Sequence, residues 1–309
     1  MDDRGDRKVK AGYVRPLDLK HGRVDMTHGG GGRAMKQLIE QLFAAAFDNP
    51  WLAQGNDMAR VELPPGRVVM ATDSHVITPL FFPGGDIGCL SVHGTVNDVA
   101  MSGAVPLYLA ASFILEEGFP LADLKRIVES MAAASRAAGV PVVTGDTKVV
   151  EKGKGDGVFI TTTGLGVVPA GVNISGDRAR PGDAILVSGT LGDHGVAIMA
   201  QRESLGFETT IQSDTAALHE LVARMVEAVP DIHALRDPTR GGLATTLNEI
   251  ARQSGVGMLL QEAAIPILPQ VDVTPRTLQA PDWERQGPEN GGQGTPRPSL
   301  VSSPRRMSS

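Results

Sequence analysis

The stretch from Ala71 to Gly103 constrains this chain more than any other. It runs A-T-D-S-H-V-I, then F-F-P-G-G-D-I-G, then S-V-H-G-T-V-N-D-V-A-M-S-G. Apolar and β-branched residues over 67–73 predict a short buried strand that ends on the carboxylate of Asp73. Pro83, Gly84 and Gly85 predict a turn, and 94–100 predicts a helix start that carries Asn97 and Asp98. Acids at the ends of adjacent elements can hold Mg²⁺ against a polyphosphate, because hard cations take oxygen ligands and borrow some from the substrate. The same two acids also suit a strand-end cap and a first-turn acid favoured by the helix dipole. Residue type alone leaves both readings open.

The acid-ended β run recurs. Residues 106–115 predict a strand, 121–138 an amphipathic helix closed by Gly139, and 140–144 a second buried strand. That strand leads into Gly145, Asp146, Thr147 and Lys148, a carboxylate with a cation two residues on. A further strand is predicted over 159–168. Strands alternating with crossover helices make a mixed α/β sheet, and such sheets bind ligands at the strands' carboxyl ends. Asp73, Asp98 and Asp146 are therefore expected in one crevice, with Lys148 either a phosphate contact or a surface lysine.

Before the first strand, His28 precedes Gly29, Gly30, Gly31 and Gly32, and a helical apolar pattern follows until Pro50. Four glycines ahead of a helix offer backbone N–H groups to phosphates, with Lys36 one turn in, although the run lacks the spacing and the G-K-[ST] ending of a P-loop and, taken alone, suits a flexible linker better. Residues 1–26 show no period and are expected to be a flexible leader. After about residue 173 come predicted strands at 184–188 and 258–261 and helices at 214–229 and 243–254. Asp237 in D-P-T-R-G-G repeats the acid-before-glycine arrangement, and His194 sits in the glycine-rich loop 189–195.

A net charge of -6 argues against nucleic acid as the main partner. The single cysteine, Cys89, permits no intramolecular disulfide and suits a cytoplasmic setting. No apolar run has the length of a membrane span. Residues 270–309 are rich in Pro, Gly and Ser, lack periodicity, and are expected to be disordered.

Taken in order, H-G-G-G-G at 28–32, N-P-W-L-A at 49–53, T-D-S at 72–74, T-P-L-F-F-P-G-G at 78–85 and G-T-V-N-D-V-A-M-S-G at 94–103 form a specific set. F-I-L-E-E-G at 113–118, V-T-G-D-T-K-V-V at 143–150, V-S-G-T-L-G-D-H-G at 187–195 and L-R-D-P-T-R-G-G at 235–242 complete it. The chain resembles the HypE family of hydrogenase maturation factors, carbamoyl dehydratases of the AIR-synthetase-like (PurM-like) ATP-binding superfamily. The resemblance runs from about 25 to about 268.

It implies an α/β fold of two domains, 27–172 for nucleotide binding and dimerisation and a truncated PurM-like domain over 173–269. It also implies a homodimer joined through the amino-terminal sheets into a barrel. ATP and Mg²⁺ are then expected at Gly29, Gly30, Gly31, Gly32, Asp73, Asn97, Asp98, Gly145, Asp146, Thr147, Lys148 and Asp237. Asp73, Asp98, Asp146 and Asp237 would ligate the metal, and Lys148 and Asp98 would act in catalysis. The family's reaction dehydrates a carbamoyl group carried on a terminal cysteine to a thiocyanate, for the cyanide ligands of [NiFe]-hydrogenase. Its implied partners are a HypF-type carbamoyltransferase and an iron-carrying HypC–HypD-type scaffold.

The family ends in P-R-[IV]-C, whereas this chain ends in R-M-S-S. That departure puts carrier activity in doubt. One alternative is a non-catalytic ATP-binding module or remnant. Another is a different PurM-like ATPase such as selenophosphate synthetase, which would place a nucleophilic Cys beside the glycine run, where this chain has His28 and Arg33.

Overall fold

The computed structural model describes residues 16–201 and 210–272. The amino-terminal part is built on a four-stranded sheet of order β1-β6-β4-β5, with β1 (Arg67–His75) and β5 (Val142–Val150) at its edges and β4 (Val105–Glu116) and β6 (Val158–Val168) between them. A small hairpin, β2 (Phe81–Phe82) with β3 (Gly85–Asp86), precedes the main helix. The β1–β6 and β4–β6 pairs are antiparallel and β4–β5 is parallel. A parallel pair needs a crossover longer than a hairpin. The intervening chain supplies it.

Ahead of the sheet, α1 (Arg33–Leu38), a π-helical turn (Ile39–Ala44) and α2 (Ala45–Phe47) form one continuous helical run. Two further helices cover one face of the sheet, α3 (Ile87–Ala100) and the crossover helix α4 (Leu121–Ala138). Helix α4 repeats apolar residues at Leu121, Leu124, Ile127, Val128 and Met131, the spacing of one buried face, and ends at Gly139 with φ +65°. Those side chains meet Ile87, Val92 and Val96 of α3 and Leu109, Phe113, Leu115 and Ile160 of the sheet in one core. Burial of such side chains stabilises by roughly 1.5–3 kcal/mol each.

Among the described residues most of the sheet's other face is uncovered. Val68 and Met70 on β1 are 55% and 72% exposed, and Thr72 and Ser74 continue the same face with hydroxyl contacts to Thr163 and Thr161.

The carboxyl-terminal part holds α5 (Asp193–Ala200), α6 (His219–Ala228), α7 (Gly242–Ser254) and the short α8 (Pro269–Asp272). Its buried apolar cluster is small: Val196, Ala197, Ile211 and Val271.

Several expectations are corrected. Residues 16–25 are not a loose leader: Val24 is 1% exposed in the core, Leu17 and Leu19 pack against it, and Val24 N–H donates to the Phe119 carbonyl. Apolar residues at irregular spacing gave no period to detect. Residues 1–15 and 273–309 lie outside the described residues, as do the expectations placed on them.

Helix α3 starts at Ile87, seven residues before the predicted start, because Asp86 Oδ1 caps it by accepting from Gly88 N and Cys89 N. Strand β5 does not stop before its acid. Its parallel ladder with β4 continues to Glu116↔Val150, so Asp146 lies within the strand. Residues 184–188 and 258–261 join no ladder among the described residues, and Leu186 and Leu259 stand 85% and 92% exposed. Helix α6 begins at His219 because Asn97 of α3 holds the chain just before it, donating to Ala216 O and accepting from Leu218 N.

Candidate functional site

Strand β1 carries Asp73 and His75 two residues apart, so both side chains fall on the face turned towards α3. His75 Nε2 lies 3.3 Å from Asp73 Oδ2. Gly94 makes this possible: a Cβ there would stand 3.1 Å from His75 Nε2 and 3.4 Å from Asp73 Oδ2. Asp98 is four residues on from Gly94, hence on the same face of α3. It occupies the last turn of α3, where the helix dipole opposes negative charge. That excludes the first-turn acid reading.

The loop before α7 brings Asp237 to the same place. Burial raises the Asp98 pKa to about 6, with the nearby Asp237 and Asp73 carboxylates adding to the rise and Arg236 opposing it. Burial also raises Asp237, against Arg236. Arg236 is itself tied to Glu249 at 2.5 Å. The imidazole of His75 is pulled below its ordinary range by burial, with Asp73 opposing and Arg240 reinforcing.

Three mutually repelling acids are an arrangement that a cation relieves. Among the described residues no group of three or more His, Cys, Asp or Glu converges tightly enough to hold a metal unaided. Mg²⁺ does not require that, since it usually takes one or two carboxylates and completes its shell with water and substrate phosphates. Asp73 with Asp98 or Asp237 fits that mode.

Asp146 and Lys148 are elsewhere in the chain. Register places Ser74, Thr161, Ser112 and Asp146 in one row across the uncovered face, opposite to the face of Asp73. With strands about 4.8 Å apart, the edges β1 and β5 are separated by roughly 14 Å. Lys148 Nζ pairs with Asp146 at 2.9 Å, and that hydrogen bond holds the Asp146 carboxyl below the usual range. Asp146 is thus not brought together with the other three acids within one chain.

The glycine run lies at this second location. Gly29 packs against β5, where a Cβ would come 2.9 Å from Val149 N. Buried His28 fixes the approach, its Nδ1 accepting from Asp25 N at 3.0 Å. Gly31, at φ +75°, and Gly32 face open space. The run is therefore anchored beside Lys148 at one end and bare beyond it.

Three expected ligands are engaged in packing. A Cβ at Gly145 would run into the Ala111 carbonyl oxygen, so this glycine sets the close approach of β5 to β4. Thr147 is 5% exposed and faces the core side of β5. Asn97, 8% exposed, donates from Nδ2 to Ala216 O at 2.9 Å and accepts from Leu218 N at 2.7 Å. Its side chain staples the segment between the two parts of the molecule. His194 pairs with Ser213 Oγ at 2.8 Å in the same junction.

The chain matches AIR synthase related protein, N-terminal domain, over residues 55–168, and AIR synthase related protein, C-terminal domain, over 180–283. It is 75% identical over 265 residues to carbamoyl dehydratase HypE of Cupriavidus necator, covering 85% of this chain and 76% of that one. The chain belongs to the HypE carbamoyl dehydratase family. To HypE of Escherichia coli it is 50% identical over 253 residues, covering 80% of this chain and 75% of the relative. Among solved structures, a HypE in complex with ATP superposes with a TM-score of 0.78 at 55% identity, covering 80% of this chain and 74% of that one. A thiamine-monophosphate kinase from Stenotrophomonas maltophilia, at 20% identity and a TM-score of 0.56, shares the fold. Membership makes this an enzyme of hydrogenase maturation by family, with a PurM-like fold. Among the described residues no helix is long and apolar enough to cross a membrane.

His75, Gly94, Arg236 and Arg240 were absent from the expected HypE-type site. Period-two spacing after Asp73 could have found His75, and four-residue spacing before Asp98 could have found Gly94. The two arginines flank Asp237 in a motif already singled out.

Proposed function

We propose that this chain binds Mg·ATP and uses it to dehydrate a carbamoyl group, and that Asp73, Asp98 and Asp237 are the metal-facing acids. The observation that carries the reading is the electrostatic coupling of these acids around Asp98, whose pKa stands at about 6. Such a cluster costs stability unless a cation offsets it. The relative solved with ATP supports a nucleotide in this family.

In the proposed reaction the substrate is a thiocarboxamide on a cysteine at the carboxyl terminus of a carrier chain. Its carbonyl oxygen attacks the γ-phosphorus, the γ-phosphate to ADP bond breaks, and a nitrogen-bound proton leaves. Loss of the second nitrogen proton then expels phosphate and leaves R–S–C≡N. An amide oxygen is a poor leaving group and a phosphate a good one. Bound Mg²⁺ would spread charge on the transferred group. On this reading Asp73, Asp98 and Asp237 would hold the ion, Arg240 would approach the anionic group directly, and Lys148 with the bare glycines would hold phosphate oxygens.

The separation of Lys148 from the three acids supports a homodimer in which uncovered sheet faces meet, since a site split between the two edges of one sheet is then shared between copies. A HypE–HypF complex among the solved relatives supports a HypF-type transferase as partner. The scaffold that receives cyanide, of HypC–HypD type, and a cytoplasmic setting follow from the same reading.

Calorimetric titration of the full chain with ATP, with and without Mg²⁺, tests it. Mg²⁺-dependent binding that weakens at least tenfold in Asp98→Asn is expected, on the order of one lost ligand. Equal affinity in the two proteins removes Asp98 from the site.

A further inference from the structure

We infer that Glu249 is a positioning residue for the acid cluster: by holding the Arg236 guanidinium against α7, it keeps this arginine off the carboxylates of Asp237 and Asp98 and leaves them open to a cation. The inference rests on the reading of these acids as the Mg²⁺-facing side of an ATP site. Both members of the pair lie outside the set of expected ligands.

The chain itself creates the problem that Glu249 solves. Arg236 is the residue before Asp237, and an arginine side chain is always charged. Its planar fork matches a carboxylate in geometry as well as charge, and such pairs are among the stronger hydrogen-bonded contacts. An arginine free to turn onto Asp237 or Asp98 would occupy the oxygens that Mg²⁺ needs. Acids that repel one another would draw it there.

The guanidinium is turned elsewhere. Arg236 Nη2 donates to Glu249 Oε2 at 2.5 Å. Among the described residues this is the one ion pair that Arg236 makes, and neither Asp237 nor Asp98 joins it. Glu249 lies seven residues after Gly242 on α7, hence two turns along the helix and about 10 Å from its start. The positive charge is still felt from that place, since it opposes the rise in pKa at both Asp98 and Asp237. It tempers the cluster without plugging it.

Stability alone does not account for the pair. The two side chains are 43% and 41% exposed, and an isolated ion pair in that setting adds little to the folded state. Its effect is expected on the cation instead. The test titrates ATP into the full chain at graded Mg²⁺ concentrations. It compares the wild type, Glu249→Gln, the double variant Glu249→Gln with Arg236→Gln, and the controls Asp98→Asn and Asp237→Asn. Gln keeps the size of Glu249 and removes the charge that holds the arginine. Glu249→Gln is expected to raise the Mg²⁺ concentration for half-maximal binding about tenfold, the usual scale for an outer-shell partner. Adding Arg236→Gln should bring the requirement back to the wild-type level or below, because the competing cation is gone. A merely structural pair predicts no such reversal, since both replacements remove the same contact.

A crystal structure of metal-free Glu249→Gln gives a second reading, and should place the Arg236 guanidinium within hydrogen-bond distance of Asp237 or Asp98. A guanidinium that stays against α7 overturns the inference. A wild-type Mg²⁺ requirement in Glu249→Gln, beside a raised one in either control, overturns it too and leaves the site reading standing. So does a raised requirement that Arg236→Gln fails to relieve. If both controls bind as the wild type does, the site reading falls and the inference falls with it.

Discussion

The carboxamide of Asn97 holds Leu218: the Leu218 backbone N–H donates to Asn97 Oδ1 at 2.7 Å, while Asn97 Nδ2 donates to Ala216 O at 2.9 Å. One side chain on α3 thus satisfies a donor and an acceptor on the segment that enters α6. Replacing it by Ala leaves both backbone groups without that partner. We expect Asn97→Ala to lower unfolding stability by about 1–3 kcal/mol, the cost of an unsatisfied buried group. A urea midpoint measurement checks it. An unchanged midpoint would mean that the strap is held elsewhere.

That contact also shows what the sequence made legible and what it did not. The strands around 67–73, 106–115 and 159–168 were readable as runs of apolar and β-branched residues, although β1 runs past Asp73 to His75 and is buried only at its end, and the helix at 121–138 was readable from its 3.6-residue period. Asp73, Asp98 and Asp237 could be singled out as acids at a strand end, in a helix and before a glycine pair, but nothing local showed that they come near one another. The role of Asn97 was not readable, because its partners lie about 120 positions away and nothing local records them. Asp146 looked equivalent to Asp73, since both follow a β run. Only register reveals that they lie on opposite faces of one sheet. The runs at 184–188 and 258–261 carry strand propensity, which is expressed only with a partner ladder.

The raised Asp98 pKa fixes a pH dependence. An acid whose folded pKa stands above its unfolded value of 3.8 costs stability when ionised. The cost is absent below about pH 4, grows as pH rises to about 6, and is constant above that. A shift of this size corresponds to roughly 3 kcal/mol at full burial, and partial exposure of the carboxyl reduces it to about 1 kcal/mol. Asp98→Asn is therefore expected to be more stable than the wild type at pH 8 by about 1 kcal/mol, with the difference vanishing near pH 4. Thermal melts across that range decide it. A difference independent of pH would count against the coupling.

Gly32 and Gly145 separate binding from packing. Gly32 is the N-cap of α1, with φ -94° and open space around its missing Cβ, so Gly32→Ala clashes with nothing and should cost only about 0.5–1 kcal/mol, for exchanging a favoured N-cap for a poor one. If the bare run closes over phosphates, the same change should still weaken ATP binding. Gly145→Ala drives a methyl into the Ala111 carbonyl and should cost about 1–3 kcal/mol as an overpacked site. Melting curves and nucleotide titrations on both variants give the four readings. A loss of stability in Gly32→Ala as large as that in Gly145→Ala would move that glycine from the binding to the packing class.

The uncovered sheet face predicts the assembly. Val68 and Met70 expose 55% and 72% of their surface beside a row of threonine and serine hydroxyls, which a second sheet can cover. Light scattering of the full chain at micromolar concentration should report twice the monomer mass, and Met70→Glu should halve it. A monomeric wild type would remove the proposed shared site.

Cys89 decides how this chain relates to the carrier step. In the proposed reaction a carrier thiol would have to reach a transferase for loading and then the nucleotide site, so it would have to be accessible and able to ionise. Cys89 is a free thiol, but it is half-buried and not acidic. Its Sγ contacts the Asp86 carbonyl at 3.3 Å in the first turn of α3, and burial pushes its thiol above the ordinary range. It is the one cysteine among the 309 residues, and a serine hydroxyl without an adjacent base is a weak nucleophile. The chain is therefore expected to gain no carbamoyl-derived mass when incubated with ATP, carbamoyl phosphate and a HypF-type transferase. A variant extended by a carboxyl-terminal segment that ends in cysteine should gain it under the same conditions. Intact-protein mass spectrometry reads both, and a stable adduct mapped to Cys89 in the 309-residue chain would show that the amino-terminal turn of α3 opens to a partner enzyme.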